Sequence, residues 1–268
     1  MKLFAQIFIN GFYNFLTDKF YRQFMKLVFL YGGRPRYELR SIKFLNFKMI
    51  VPDCRSFIWQ FKEIFVDKNY LFKAENDSPV IYDCGSNIGT SVLFFKESYP
   101  NSIIKAFEAE PKIFSILKQN IESNKVSDVE LISKAVWVNN GGIEISSEGA
   151  DGSTIYGEEN KTKIESIRLK ELIENENIID FLKMDIEGAE IEVLIDCENS
   201  LGNIKNIFIE YHSFINKNQQ LDLILSILTK NNFRYFIKSA VHNKYPFLKK
   251  KNNYSPNIDL QTNIYAYK

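Results

Sequence analysis

IYDCGSNIGTSVLFF, residues 81–95, joins a short apolar run to a helix-like pattern through a turn that contains two glycines. An apolar run that ends in an acid, Asp83, and continues into Gly85 and Gly89 is typical of a buried parallel strand followed by a ligand-binding turn and a helix. The stretch lacks the Gly-Lys-Ser/Thr ending of a P-loop, and it has one glycine fewer than the dinucleotide fingerprint. We therefore expect this turn to hold something other than a pyrophosphate.

Strand-like and helix-like patterns alternate from residue 79 to the end of the chain. Strands separated by helices predict an α/β fold, in which a doubly wound parallel sheet carries helices on both faces and binds ligands beyond the carboxyl ends of its strands. The predicted strands are 79–84, 102–110, 129–138, 178–185, 204–214, 233–239 and 262–268. The predicted helices are 87–98, 111–125, 168–177, 188–201 and 218–232.

Two segments between these elements have patterns of their own. The sequence NNGG at 139–142 is typical of a hairpin turn, and it predicts that the strand 129–138 pairs with a strand beginning at Ile143. The polar segment 147–160 contains several glycines, which give a backbone the freedom to hinge. We predict that this segment forms a lid over the bound substrate.

The first 77 residues are predicted to form an extension of helices and a short hairpin, and residues 78–268 the ligand-binding domain. The N-terminal apolar run is too short and too often interrupted by polar residues to cross a membrane. Lys19, Arg22 and Lys26 stand among aromatic residues, which leaves two interpretations. The helix packs on the main domain or on a second copy in a homodimer, or it lies on a membrane surface as an amphipathic helix.

Composition excludes several other classes of protein. The net charge of +1 gives no basic surplus, so nucleic acid is not the expected partner. The three cysteines, Cys54, Cys84 and Cys197, are too few and too widely spaced for a zinc site or a disulfide framework. We therefore expect buried thiols in a cytoplasmic protein.

The carboxyl end of the second predicted strand carries Glu108, which lies 23 residues after Gly85. A carboxylate at this position can accept hydrogen bonds from both hydroxyls of a ribose. Asp83 would repel a pyrophosphate but suits an ammonium group, and the turn with its helix start can bind a carboxylate through backbone N–H groups. A nucleoside that combines a cation with an amino acid is S-adenosylmethionine, and we predict it as the cofactor.

A second concentration of charge, KMDIEGAEIEVL at 183–194, follows the predicted strand 178–185. Unpaired charges are costly where solvent is limited, so Lys183 and Asp185 at the strand end are candidate catalytic residues. Glu187 suits the start of the next helix. Glu190, by contrast, is expected to be a solvated helix residue.

His212 ends the strand 204–214, two residues after Glu210. Side chains two apart on a strand point to the same side, so Glu210 is expected to orient the His212 imidazole. Near Asp185, this pair could remove the proton of a substrate hydroxyl. The same three residues could instead ligate a divalent metal, but no spacing motif demands it and we predict no metal.

Five segments of the chain resemble the FkbM family of S-adenosylmethionine-dependent methyltransferases. They are DCGSNIGTSVLFF, AFEAEP, RLKEL, DFLKMDIEGAEIEVL and FIEYH. Their order and spacing agree over about residues 50–268, and DIEGAE is the most specific. The resemblance implies the class I methyltransferase (Rossmann-like) fold, with seven mostly parallel strands of which the last is antiparallel. It also implies O-methylation, often of sugar or natural-product hydroxyls.

The resemblance also assigns site residues. The cofactor residues that it implies are Asp83, Gly85, Ser86, Asn87, Gly89 and Glu108, with Ala135 and Val136 beside the adenine. The catalytic residues predicted from the strand ends are Asp185, His212, Glu210 and Lys183, and the resemblance implies that Asp185 lies between cofactor and acceptor. Many members have Glu-Pro at the ribose acid, whereas this chain has Glu108-Ala-Glu110-Pro111, so Glu110 is a second candidate for the ribose.

The predicted function is O-methylation of a sugar or glycan hydroxyl, such as that of a surface polysaccharide or glycolipid precursor, in the cytoplasm or at the membrane surface. A small natural product is an alternative acceptor. An NAD-dependent oxidoreductase on the same architecture is disfavoured by the missing glycine. A binding protein without activity is disfavoured by the intact set of Asp83, Gly85, Glu108 and Asp185.

Overall fold

The computed structural model describes residues 13–147, 153–154, 161–240, 247 and 257–268. The strands are β1 (Arg40–Phe44), β2 (Phe47–Val51), β3 (Val80–Cys84), β4 (Ile103–Phe107), β5 (Val129–Ile132), β6 (Ala135–Trp137), β7 (Ile143–Ser147), β8 (Ser153–Thr154), β9 (Lys161–Ile164), β10 (Ser166–Arg168), β11 (Ile179–Met184), β12 (Ile204–Phe214), β13 (Arg234–Ser239) and β14 (Ile258–Tyr267). The α-helices are Lys19–Tyr31, Cys54–Phe61, Thr90–Ser98, Pro111–Ser123, Leu169–Glu174, Glu190–Cys197 and Leu221–Lys230, and Lys62–Val66 is a π-helix.

Seven strands form the main sheet in the order β13-β14-β12-β11-β3-β4-β5. From β12 to β5 the strands are parallel to one another, as helical crossovers require. Strand β14, the last in the chain, is antiparallel to both of its neighbours, β12 and β13. The predicted α/β sheet, mostly parallel with an antiparallel last strand, is confirmed.

The predicted strand 129–138 is in fact two strands, and the predicted hairpin is wrong. Strand β5 belongs to the main sheet, whereas β6 pairs in parallel with β10, and β7 pairs with β8 and β9 in a third sheet. The NNGG turn is anchored by Ser166, whose hydroxyl accepts from the Gly142 N–H at 2.9 Å and donates to the Asn139 carbonyl at 2.6 Å. These contacts direct β7 away from β6. Most of the predicted lid lies outside the described residues.

The two faces of the main sheet have separate hydrophobic cores. One core packs the sheet against the helices 169–174, 190–197 and 221–230, through residues such as Leu182 and Leu194. The other packs it against the helices 90–98 and 111–123 together with the N-terminal extension, and its buried residues run from Leu27 to Phe208 along the chain. The extension and the sheet therefore share one core.

Nine of the 24 buried residues that the structure describes in this shared core are aromatic. Phe61 and Phe65 of the extension stack with centroids 4.8 Å apart, and Phe65 meets Phe94 of the helix 90–98 edge-on at 5.3 Å. Phe44 of the β1–β2 hairpin packs edge-on against both Phe61 and Phe65. Each fully buried ring of this size contributes on the order of 2–3 kcal/mol to folding, so the extension is held tightly against the sheet.

The helix Lys19–Tyr31 lies in the N-terminal extension. Asp18 begins it by accepting from the N–H groups of Phe20 and Tyr21. Leu27 is its one buried residue, while Phe29 on the opposite side is 88% exposed. Among the described residues, every helix is too short or too polar to span a membrane.

Candidate active site

The turn after β3 lies unusually close to the neighbouring strand ends. Gly85 has a φ of +86°, and a Cβ placed there would come within 1.8 Å of the backbone oxygen of Asp185. The N–H groups of Gly85 and Ser86 both donate to the carbonyl of Phe107, at 3.0 and 2.8 Å. Only glycine permits this conformation and this approach, so the turn spans the carboxyl ends of β11, β3 and β4.

The N–H groups of the turn are already bonded within the protein. Asn87 donates to Glu108, Ile88 donates to the Asn87 side chain, and Gly89 donates to the carbonyl of Ser86. The carboxylate of the cofactor was predicted to bind these groups. In this structure they hold the turn itself, because its tight curvature brings acceptors of the chain within their reach.

Glu108 lies at the end of β4 against this turn. One carboxylate oxygen accepts from the Asn87 N–H and the other from the Glu110 N–H, each at 2.9 Å. One further lone pair on each oxygen remains for a ligand. Burial raises the pKa of Glu108 to about 7. Glu110 begins the helix 111–123, so its backbone orients the Glu108 carboxylate.

These residues fit the ribose of S-adenosylmethionine. Two open lone pairs side by side on Glu108 match a vicinal diol. Ala135 lies in β6 and packs with Ala109, the residue that follows Glu108. The adenine position predicted beside Ala135 and Val136 is therefore adjacent to the predicted ribose acid.

Asp83 and Lys183 form a buried pair beneath the turn. Asp83 is fully buried; one of its oxygens accepts from the Ser91 hydroxyl at 2.5 Å and the other lies 3.4 Å from the Lys183 ammonium. Lys183 also donates to the Gly85 carbonyl at 2.8 Å and lies 3.2 Å from an oxygen of Asp185. The cofactor role of Asp83 and the catalytic role of Lys183 stay predictions, and the contacts that the two residues make in this structure hold the turn.

The charge of Lys183 is secured by its neighbours. Burial alone would lower the pKa of Lys183, but the carboxylates of Asp185 and Asp83 outweigh it and hold this pKa above its usual value. The lysine is therefore a fixed cation rather than a proton acceptor. Asp185, with a side chain that is 23% exposed, is the carboxylate of this group that reaches solvent.

His212 is oriented by a different acid from the one predicted. Its Nδ1 lies 3.2 Å from Glu190, whereas Glu210 accepts from the Gln261 amide at 2.6 Å. The same amide nitrogen lies 3.2 Å from His212 Nε2. The reason is geometric: Gln261 is the direct partner of His212 on β14, while residues two apart on one strand are separated by about 6.6 Å along it.

Glu190 is not the solvated helix residue that the sequence predicted. Its side chain is fully buried, and its carboxylate accepts from the N–H groups of Ile186 and Gly188 at distances of 3.1–3.2 Å. An acid in the first turn of a helix commonly binds the free N–H groups there. That rule was the signal in the sequence, but the contact with His212 on another strand was not predictable.

Three side chains at this edge come close enough to hold one cation. Ligand atoms of Asp185, Glu187 and His212 lie within 4.8 Å of one another, and within the described ranges this is the one group of that kind. It includes Glu187 in place of the predicted Glu210. The absence of a metal stays a prediction.

The N-terminal extension also reaches this edge, although no sequence motif predicted it. Tyr70 is buried, and the centroid of its ring lies 5.8 Å from the Lys183 ammonium. It also packs edge-on against Phe208, two residues before Glu210 on β12. The extension therefore covers the face on which Lys183 and Glu210 lie.

Comparison with known proteins identifies the family of the chain. The model of the methyltransferase FkbM domain matches residues 83–235, more than half of the chain. The chain belongs to the FkbM methyltransferase family. Membership confirms the predicted family and, with it, S-adenosylmethionine as the methyl donor.

FkbM relatives are similar over part of their length. Methyltransferase 1 of Beauveria bassiana is 30% identical over 50% of this chain, and the match spans 64% of that protein, slightly less than two thirds. The hexuronic acid methyltransferase AglP of Haloferax volcanii is 28% identical over 58% of this chain and 66% of its own. A solved S-adenosylmethionine-dependent methyltransferase from Agrobacterium tumefaciens superposes with a TM-score of 0.51 at 8% identity, over 88% of this chain and 72% of its own. That likeness concerns the fold alone.

Proposed function

We propose that this FkbM methyltransferase transfers a methyl group from S-adenosylmethionine to a hydroxyl of a sugar or glycan, as in a surface polysaccharide or glycolipid precursor. The observation that carries the proposal is the position of Asp185. Its partly exposed carboxylate lies at the end of β11. Its backbone contacts the Gly85 turn, and Glu108 accepts a hydrogen bond from Asn87 of the same turn. A proton acceptor thus adjoins the proposed seat of the methyl donor.

The proposed reaction requires no covalent bond between the protein and the substrate. S-adenosylmethionine supplies an electrophilic methyl group on a positively charged sulfur, and displacement breaks the carbon–sulfur bond with its electron pair going to sulfur. Asp185 accepts the proton of the attacking hydroxyl. Lys183 holds one Asp185 oxygen at 3.2 Å, so the other is free to face the acceptor. Alignment of hydroxyl and methyl carbon supplies most of the remaining acceleration.

The acceptor is proposed to bind between the carboxyl edge of the sheet and the N-terminal extension. The polar groups of this part of the site include Glu210 and Gln261, and the Gln261 amide donates to Glu210 at 2.6 Å. Such a lining suits a molecule with many hydroxyls. The relative AglP, named a hexuronic acid methyltransferase, supports the same acceptor class. A natural product of lower polarity is the alternative.

The test is a methyl-transfer assay with purified protein. The probes are S-adenosylmethionine with neutral monosaccharides, hexuronic acids and nucleotide sugars, and with an apolar polyketide alcohol, and the readouts are S-adenosylhomocysteine and methylated product by mass spectrometry. Asp185→Asn is expected to slow transfer by about 10²–10⁴-fold, with S-adenosylmethionine affinity retained. Glu198→Gln, the same type of change at an ion pair outside the site, is the control. Full turnover in Asp185→Asn, or methylation of the polyketide alone, would overturn the assignment.

We also propose that the extension contacts a membrane surface on the cytoplasmic side. The helix Lys19–Tyr31 contains no acidic residue and exposes Arg22 and Lys26 beside Met25 and Phe29. Basic and apolar groups on one helix face are typical of interfacial binding. Wild-type protein is expected to sediment with vesicles that contain anionic lipid, and Phe29→Ser to sediment less. Sedimentation of neither protein, with self-association in ultracentrifugation, would favour a homodimer contact instead.

A further inference from the structure

We propose that Glu190 is a positioning residue for the methyl-transfer step, because it holds the turn 185–188 in the one arrangement that directs Asp185 toward the acceptor. The inference rests on the proposed function of Asp185. It concerns a residue whose place in the helix 190–197 gives no direct access to substrate, since its side chain is fully buried.

The first support is the way that Glu190 binds the turn. Its Oε1 accepts from Ile186 N–H at 3.1 Å and from Gly188 N–H at 3.2 Å, and its Oε2 accepts from Gly188 N–H at 3.1 Å. These N–H groups flank Glu187, which has a φ of +55°. A non-glycine residue in the left-handed region is strained, and the buried carboxylate holds Glu187 in this conformation from both sides.

The second support is the link to the neighbouring strand. Glu190 Oε1 lies 3.2 Å from His212 Nδ1, and His212 Nε2 lies 3.7 Å from Glu187 Oε2. His212 is itself buried and sits at the far end of β12. One carboxylate thus joins the turn to β12, and the imidazole closes the connection back onto Glu187.

The third support is that the turn is fixed at both ends. At its start, Asp185 donates its N–H to the Cys84 carbonyl at 3.1 Å and places Oδ2 3.2 Å from Lys183. At its end, Glu190 binds the backbone on either side of Glu187. Loss of the second anchor would leave Asp185 held from one side only. A displacement of about 1 Å is enough to cost on the order of 10²-fold in rate.

The test compares Glu190→Gln with Glu198→Gln, which makes the same change at the end of the same helix. Glutamine keeps the volume and one acceptor oxygen but loses the charge beside His212 and the second acceptor. We expect kcat to fall about 10²-fold in Glu190→Gln, with the Kd for S-adenosylmethionine within about threefold of wild type. The Glu198→Gln control is expected to be unchanged.

A double variant separates positioning from general structure. If Glu190 acts through Asp185, adding Glu190→Gln to Asp185→Asn should slow transfer no further, because residues that act as a unit are not additive. Multiplied effects, or a kcat near wild type in Glu190→Gln, would overturn the inference while the proposed function stands. Absence of methyl transfer in wild type would instead overturn the function. If Glu190→Gln fails to fold, His212→Gln removes the same Glu190–His212 contact from the side of β12. Multiplied effects with Asp185→Asn, or a kcat near wild type, would then overturn the inference.

Discussion

Glu108 should impose a pH dependence on both stability and cofactor binding. Burial raises its pKa from 4.5 to about 7. A carboxyl group with a raised pKa in the folded state binds its proton more tightly there than in the unfolded chain. The proton therefore stabilises the fold below pH 4.5, and that contribution is lost as the pH rises to about 7. Because one pKa unit corresponds to about 1.4 kcal/mol, the loss amounts to about 3 kcal/mol.

The perturbation is Glu108→Gln, with Glu110→Gln as the control. Urea denaturation of each protein from pH 4.5 to pH 8 gives the free energy of unfolding, and subtraction of the variant's curve from that of the wild type removes all other titrating groups. The difference should fall by about 3 kcal/mol across this range for Glu108. Loss of a backbone hydrogen bond in the variant would shift the difference in free energy of unfolding by a constant, so it would not change how that difference varies with pH. A difference that stays constant or rises with pH would contradict a raised pKa of Glu108 in the folded protein.

The same variant tests the ribose assignment. Ionised Glu108 accepts from the cofactor hydroxyls, and hydrogen bonds to a charged group contribute about 1.5–3 kcal/mol. Calorimetry at pH 8 should show S-adenosylmethionine bound about 10–100-fold more weakly by Glu108→Gln. Glu110→Gln should bind as wild type does. Weaker binding by Glu110→Gln, with wild-type binding by Glu108→Gln, would assign the ribose to Glu110.

Three further predictions concern the parts that hold the site together. Gly85→Ala should lose cofactor binding and about 1–3 kcal/mol of stability, because its Cβ would lie 1.8 Å from the Asp185 oxygen. Calorimetry that shows the variant binding the cofactor as tightly as the wild type would contradict this. Lys183→Met should destabilise the fold by about 3–5 kcal/mol in urea, since it leaves Asp83 as a buried and unpaired charge; a neutral result would show that the pair is dispensable. Phe65→Ala should cost about 3–5 kcal/mol in a single transition seen alike by fluorescence and circular dichroism, whereas two separate transitions would show that the extension unfolds independently.

The main sheet was predictable because each of its inner strands is an apolar run in the sequence. The spacing from Gly85 to Glu108 likewise predicted their meeting, since adjacent parallel strands end at the same edge. The register of a sheet was less accessible. Lys183 lies directly opposite Asp83, so two charges that looked like ligand contacts neutralise each other instead.

The missed features all depend on contacts between distant parts of the chain. The NNGG turn has the right composition for a hairpin, but pairing of β6 with β10 overrides that local preference. Glu190 looked like a surface residue because its helix alternates acids and apolar residues, and only the approach of His212 on β12 explains its burial. Tyr70 comes from a segment with no motif, yet it contacts the buried lysine of the site.

The contact between Gly85 and the backbone of Asp185 has a mechanical consequence. Two motifs separated by a hundred residues of sequence are joined at van der Waals distance, and the Lys183 ammonium crosses between them to the Gly85 carbonyl. Neither motif can shift without the other, so donor and acceptor chemistry share one rigid frame. In the proposed reaction, the distance from the methyl donor to Asp185 is therefore set by this contact and not by the extension or the surrounding loops.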